Sequence, residues 1–441
     1  MRVKSVIKKL LPAFALDAFR RARTERAMRH LLQGWDAAVG QLQPRKVDPS
    51  LKRLLIVPCD PNTLTGSLGD DAMMSAFIQA AQTKNPNVEI YALTASAAAS
   101  AEARRRGYIA KEIWYVEDFP QTLANLLNQR SFDAVAALGA DILDGYYDPV
   151  SAAQTLAICD LAARSGVPTT VLGFSFNSKP SPLLRPVFAR LHAGVKLHVR
   201  DAISLDRLRA FSDVPATLVA DAAFMLVAGK PPAEAVAWVD EQRGAGRCVI
   251  GINIHPLLIK HATPAQIDLI VQRTTDALRQ VAGRRAVAWL LLPHDYRGEN
   301  GDGRCLAPIA ARLAPDLGDR VMMLTGEHGA AVLKGVAALL DGVLSGRMHL
   351  AIASIGKGVP TLCVTYQGKF EGLYRHFDLP DWLLMTPEQM LSAGVLEERL
   401  IRLIDENDAL RDVIHEGLPT VLSLSRENFS IFASSSAEAV D

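Results

Sequence analysis

Short apolar runs recur along most of this chain, each followed by a polar turn and then by a stretch of helical periodicity. The first is Leu54-Leu-Ile-Val57, followed by a loop with Pro58, Pro61 and Gly66 and a helical pattern from Gly69. Further runs are Val88-Glu-Ile-Tyr-Ala-Leu93, Ile113-Trp-Tyr-Val116, Ala134-Val-Ala-Ala-Leu138, Thr169-Thr-Val-Leu-Gly173, Leu197-His-Val199 and Thr217-Leu-Val-Ala220. Helical segments are expected near 123–127 and over 152–165. Runs of this length bounded by turn residues read as buried strands, and their alternation with helices of ten to fifteen residues requires a parallel sheet covered on both faces.

The alternation breaks at Gly229-Lys-Pro-Pro-Ala-Glu234 and then restarts. The second series runs through Cys248–Asn253, a helix over 264–282, Ala286–Leu292, a helix over 304–313, Val321–Leu324, a helix over 328–337, Gly342–Leu344 and Thr361–Val364. Residues 384–415 read as closing helices. A chain of 441 residues is too long for one ordinary core. The expected organisation is a basic N-terminal segment 1–46, an α/β domain 47–230, a second α/β domain 231–390, and closing helices with a tail, 391–441. Two such halves make a cleft the natural place for chemistry, because open parallel sheets bind ligands beyond the carboxyl ends of their strands.

Charge narrows the partners. The net charge is +1, which offers no case for nucleic-acid binding. Five scattered cysteines without a C-x-x-C pair argue against a disulfide framework or a zinc site and fit a cytoplasmic compartment. Residues 1–46 nevertheless carry eleven Lys/Arg and three acids, a net of +8 that leaves −7 for the rest. Val3, Ile7, Leu10, Leu11, Phe14, Ala18 and Phe19 recur there at helical spacing. Such a segment either rests on an anionic membrane surface or packs on its own domain. Its apolar run is broken by Pro12, so no signal peptide is expected, and no run is long enough for a transmembrane helix.

Chemistry should lie in loops after predicted strands. Thr65-Gly-Ser-Leu-Gly-Asp-Asp-Ala72 opens a helix with two aspartates. It is neither a dinucleotide fingerprint nor a phosphate-binding loop with its lysine. Asp70 and Asp71 suit a hydroxyl-bearing ligand as acceptors or base; they also suit simple helix capping. Arg200 and Asp221 end strands in Val199-Arg-Asp-Ala-Ile-Ser204 and Val219-Ala-Asp-Ala-Ala-Phe224. His255 follows the strand ending at Ile254 and is placed to face the cleft. His294, Asp295, Asn300 and Asp302 sit in a glycine-rich loop whose spacing does not match a calcium loop. Arg347 and His349, two apart in Ser345-Gly-Arg-Met-His-Leu350, precede Gln367-Gly-Lys369 one strand later. Arginine grips carboxylate or phosphate with paired donors, and histidine holds or delivers a proton near neutral pH. Those residues suit a phosphorylated, carboxylated anion.

Taken together these stretches resemble the polysaccharide pyruvyl transferase family. Gly66-Ser-Leu-Gly-Asp-Asp-Ala72 is close to a family pattern G-N-x-G-D-E-A, with Ser67 and Asp71 as departures. Val199-Arg-Asp-Ala-Ile-Ser204 resembles v-R-D-x-x-S. Asp221-Ala-Ala-Phe-Met-Leu226 resembles D-P-A-F-x-L, with Ala222 replacing proline. Ser345 to Pro360 follows S-x-R-x-H-x-x-I-x-A-x-x-x-G-V-P, and Tyr366-Gln-Gly-Lys-Phe-Glu-Gly372 comes next. The segments Leu138–Asp144 and Gly173–Asn177 depart from the family's glycine-rich pattern.

The resemblance implies two Rossmann-like domains in a GT-B-like arrangement. It implies an enzyme that transfers pyruvate from phosphoenolpyruvate to a sugar of a cell-surface or exopolysaccharide, or its lipid-linked precursor, as a ketal. By resemblance Arg200 and Arg347 hold phosphoenolpyruvate, with Lys369 assisting; from their places after strands, Asp221 and His255 are expected as further substrate-binding residues. His349 binds it or acts as general acid, and Asp70 or Asp71 orients the acceptor or acts as base. No cofactor and no metal is required, since arginines compensate the charge. The protein would be cytoplasmic, with residues 1–46 at the inner face of the membrane. The alternatives are a GT-B glycosyltransferase using a nucleotide sugar, or a non-catalytic member serving envelope assembly.

Overall fold

In a computed structural model of the chain, which describes residues 13–44, 46, 50–365, 368 and 370–432, the predicted runs become two parallel sheets. The first contains β1 (Arg53–Val57), β2 (Glu89–Thr94), β3 (Ile109–Glu112), β4 (Ala134–Leu138), β5 (Thr169–Phe174), β6 (Val195–Val199) and β7 (Thr217–Leu218), in the order β3-β2-β1-β4-β5-β6-β7. The second contains β8 (Cys248–Asn253), β9 (Val287–Leu291), β10 (Val321–Met323), β11 (Gly342–Ser345), β12 (Thr361–Val364) and β13 (Leu384–Met385), in the order β10-β9-β8-β11-β12-β13. Both orders are doubly wound, so each half is Rossmann-like. The strand order reverses between β1 and β4 and again between β8 and β11, and such reversal points are where ligands bind.

The central strands are apolar without alternation because helices cover both faces. Every residue of β4 and β9 is buried. Helix Pro264–Ala282 shows how local sequence sets an element's start. Thr263 accepts from the Gln266 backbone, the Gln266 side chain returns to Thr263 N–H, and Pro264 occupies the first turn.

Two predicted elements differ, one a strand and one a helical segment. The run Ile113–Val116 is a turn, and β3 is instead Ile109–Glu112, an edge strand that pairs with β2 through Tyr91 and Ile109. An edge strand needs no buried face, whereas Trp114 leaves the ladder to be buried beside Phe119. Residues 384–415 are not helical throughout, since β13 pairs with β12 at the sheet edge before the helices begin.

Contacts divide the chain into two units: residues 1–64, 80–218 and 428–441, and residues 65–79 with 219–427. The division differs from 47–230 and 231–390. The start of helix Leu68–Lys84 follows β1 in sequence but clusters with the second unit, where Leu68 packs on the apolar core around Leu290, Leu333 and Val343. In the first unit, helix Ala13–Val39 buries Met28, Leu31, Trp35 and Ala38 at helical spacing in the core. Trp35 donates its indole N–H to Asp160 at 2.8 Å, fixing this helix on helix Pro149–Arg164. From Met28 on, the basic segment is therefore a packed helix. Its first twelve residues lie outside the described ones, and Phe19 is exposed. Among the described residues, no helix is long and apolar enough to cross a membrane.

Candidate active site

β11 ends at Ser345 and delivers Gly346 and Arg347 into the turn before helix Met348–Ile355, whose first turn carries His349. Ser345 holds that turn, its hydroxyl donating to Arg347 O at 2.8 Å and accepting from Arg347 N–H at 3.1 Å. Gly346 is required here because a Cβ would lie 2.7 Å from the His255 ring.

Arg347 is anchored along one edge. Its Nε and Nη2 donate to Asp302 Oδ1 at 3.1 and 2.6 Å, and Nη2 also reaches Asn300 O at 3.3 Å and lies 3.3 Å from Asp295 Oδ2. Nη1 makes no hydrogen bond among the described residues. Asp302 is fully buried. Its second oxygen accepts from Asn253 Nδ2 at 2.7 Å and from His294 N–H at 2.8 Å. Burial pushes the Asp302 carboxyl above its ordinary range against the opposing pull of Arg347. Burial acts the same way on Asp295, but its paired hydrogen bonds from Arg297 and the charge of Arg347 prevail and hold it below. The 293–302 loop thus supplies counter-ions for an arginine. The sequence showed these carboxylates but not their partner, which is 45 residues beyond Asp302.

His349 packs against the start of helix Leu68–Lys84. A Cβ on Gly69 would overlap the imidazole, so only glycine fits. The buried Nε2 has no hydrogen-bond partner among the described residues and lies 3.6 Å from Asp221 Oδ2. Asp221 is buried, and its other oxygen caps the turn Ala222–Met225 through Ala223 N–H at 2.9 Å. The expected binding residue Asp221 is therefore the histidine's carboxylate neighbour. Lys334 went unnoticed in the sequence. Buried on helix Ala330–Ala337, it donates to the carbonyls of Ala223 and Phe224 at 3.1 and 2.8 Å, holding the turn that carries Asp221. Burial, assisted by Lys357 and opposed by Asp221, lowers its ammonium to about 8. A lone lysine in the apolar run Ala330–Ala337 was the available signal.

The other expected residues are placed as follows. Asp70 accepts from Ser67 N–H at 3.0 Å while Ser67 Oγ accepts from Asp70 N–H at 3.3 Å, a reciprocal cap on their own helix. Asp71 is buried and accepts from Ala330 N–H at 3.1 Å, capping a second helix. Asp71 also accepts from Ser75 Oγ at 3.4 Å. His255 differs from its expected exposure: it is fully buried, with Nε2 against Gly346 O at 2.8 Å, and burial keeps it neutral well below its ordinary range. Burial likewise lowers His294 to about 3, with further push from His349 and Arg347. Arg200 belongs to the first unit, buried at the end of β6 with Nη2 donating to Ser175 Oγ at 2.9 Å. Its neighbour Asp201 caps helix Ala202–Phe211. Lys369 lies outside the described residues.

The sequence profile described as Polysaccharide pyruvyl transferase matches residues 68–368, more than half of the chain, and spans Arg200, Asp221, Arg347 and His349. The chain belongs to this family. No curated protein matches it in sequence. Among solved structures it is similar to HepE from Anabaena in complex with UDP-glucose, at 12% identity and TM-score 0.52, covering 86% of this chain and 98% of that one. A glycosyltransferase from Rickettsia africae shares 10% identity at TM-score 0.52, over 86% of this chain and 97% of that one. The UDP-GlcNAc 2-epimerase of Neisseria meningitidis bound to UDP-GlcNAc shares 11% at TM-score 0.50, over 85% and 99%. At such identities the likeness is one of fold: two Rossmann-like units.

Proposed function

We propose that this pyruvyl transferase family member takes pyruvate from phosphoenolpyruvate and places it on a sugar of a cell-surface polysaccharide or its lipid-linked precursor as a ketal. The observation that carries the reading is Arg347, clamped by Nε and Nη2 on a buried aspartate while Nη1 makes no hydrogen bond among the described residues, two residues from a histidine faced by Asp221. A guanidinium held rigidly by buried carboxylates loses little entropy on gripping an anion.

In the proposed chemistry His349 delivers a proton to the methylene carbon of phosphoenolpyruvate. Positive charge develops at C2, and an acceptor hydroxyl adds there, releasing its proton. The C2–O bond to phosphate breaks and inorganic phosphate leaves. A second acceptor hydroxyl adds to C2, loses its proton and closes the ketal. Asp221 supplies the opposite charge that an imidazolium beside it requires. The buried carboxylates behind Arg347 keep its position fixed as charge shifts on the donor. The family resemblance assigns Arg200 and Lys369 to the same donor, and loss of binding in Arg200→Ala and Lys369→Ala tests that assignment. Residues 1–27 of the basic segment are proposed to meet the inner membrane leaflet, since the segment from Met28 on is packed in the core; unchanged membrane recovery after deletion of 1–27 would sink that part.

Calorimetric titration with phosphoenolpyruvate decides the main reading. Binding by the wild type, weakened at least tenfold in Arg347→Lys, is the expected result. A folded wild type that ignores phosphoenolpyruvate with or without glycan but binds UDP-glucose would instead make it a nucleotide-sugar enzyme, as its structural neighbours' complexes suggest.

A further inference from the structure

At the carboxyl ends of β9 and β10 the second unit holds an open cavity of about 620 Å³, large enough for a small organic ligand. Its lining includes Asp295, Tyr296, Glu299, Arg304, Thr325 and Glu327, and four of the lining positions are glycine. Three carboxylates thus face one guanidinium, and that guanidinium is already paired, Arg304 Nη1 lying 2.9 Å from Glu299 Oε2. Asp295 is likewise paired, with Arg297 at 2.7 Å, so the lining offers a phosphate or a carboxylate no uncommitted cation among its residues. It is right for hydroxyl groups, which donate to carboxylates and to the carbonyls that glycine-rich backbone exposes. Tyr296 adds an aromatic ring with an apolar face, the usual complement of a sugar's C–H surface.

The cavity also adjoins the anion-holding group. Asp295 lines it, and Asp295 Oδ2 is 3.3 Å from Arg347 Nη2. One carboxylate therefore stands between a cationic group suited to an anionic donor and a pocket in whose lining Asp295 and Arg304 are already paired.

We propose that this cavity is the acceptor subsite, taking an uncharged pyranose ring of the glycan and presenting its hydroxyls beside Arg347. The assignment of the ring as an acceptor rests on the pyruvyl-transfer reading, while binding of a sugar there does not. It moves the acceptor from the helix carrying Asp70 and Asp71, whose carboxylates are occupied as caps, to the loops after β9 and β10.

The test uses the full-length protein and p-nitrophenyl β-glycosides of galactose, glucose and mannose, read by saturation-transfer NMR, with UDP-glucose and phosphoenolpyruvate titrated in parallel. Gly303→Phe fills the cavity, because a Cβ at Gly303 meets no atom within 4 Å. Glu327→Gln, at an exposed position, removes one acceptor without risk to folding. Expected is binding of at least one glycoside, weakened fivefold or more by Gly303→Phe and two- to tenfold by Glu327→Gln, with phosphoenolpyruvate affinity within twofold of wild type. Glycosides bound equally well by both variants overturn the inference. So does a wild type that binds none of them with phosphoenolpyruvate present, and so does UDP-glucose being the ligand that Gly303→Phe expels. Failure of phosphoenolpyruvate to bind the wild type overturns pyruvyl transfer, and the glycoside arms then still decide the cavity.

Discussion

Replacing Arg347 with methionine leaves Asp302 fully buried with its charge unmatched. The arginine side chain is 13% exposed and the aspartate 0%, so solvent screens the pair little. Removing one partner of a buried pair costs about 3–5 kcal/mol. Asp302 keeps two neutral donors, Asn253 Nδ2 and His294 N–H, which places the expected loss at the lower end, about 3 kcal/mol. For a unit of this size that is a fall in Tm of roughly 6–12 °C. The loss should depend on pH. Burial raises the Asp302 carboxyl even with Arg347 present, and without it the shift grows. A folded carboxyl with a raised pKa keeps its proton to higher pH than the unfolded chain does, so stability falls as pH rises from about 4 through the folded value. The deficit should be smaller at pH 5 than at pH 7.5. Adding Asp302→Asn removes the charge and should recover most of it. Scanning calorimetry of the wild type, Arg347→Met, Asp302→Asn and the double variant at both pH values gives the answer. A deficit under about 1 kcal/mol, equal at both pH values and untouched by Asp302→Asn, would refute the claim that the two side chains are one buried unit.

Other expectations follow from the same packing. Gly69→Ala should displace the His349 imidazole and cost on the order of 1–3 kcal/mol, abolishing turnover; a variant with wild-type turnover would show that the contact does not position the histidine. Asp221→Asn should keep the turn through its remaining carbonyl but lower kcat with little change in phosphoenolpyruvate affinity, whereas an affinity loss alone would make Asp221 a binding residue. Lys334 titrates at about 8 in the fold and near 10.5 unfolded, so the unfolded chain binds more protons between those values and stability rises across that window. Lys334→Met should lack that rise, and parallel slopes in urea titrations at pH 8 and 10 would contradict it. His198, lowered to about 4, and His294, lowered to about 3, are buried neutral, so stability is present above pH 6.5 and lost as pH falls below it. His198→Gln should flatten that acid limb in circular dichroism.

Much of the fold was written in local sequence. A parallel sheet buried on both faces must be built from unbroken apolar runs, so β4, β5, β8 and β9 stood out, and the helix over 264–282 was marked at its start by Thr263 and Pro264. Local pattern failed where position in the sheet decides: β3 is an edge strand with no need of apolar residues, and Trp114 is apolar for packing, not pairing. Arg347 and His349 were legible because a cation and an imidazole between two apolar segments require a reason. Their partners were not. Asp302 and Asp295 come from another strand's loop, Gly69 from a helix that follows β1 yet packs with the second unit, and Asp221 from a turn held by Lys334. Which carboxylate caps a second helix, which faces a histidine and which neutralises an arginine depends on distances across 45 to 259 residues of chain. Spacing along a sequence fixes which residues share a strand or a helix face; only the closing of the sheet fixes which charges meet, because electrostatic pairing acts over a few ångströms in space and is blind to order in the chain.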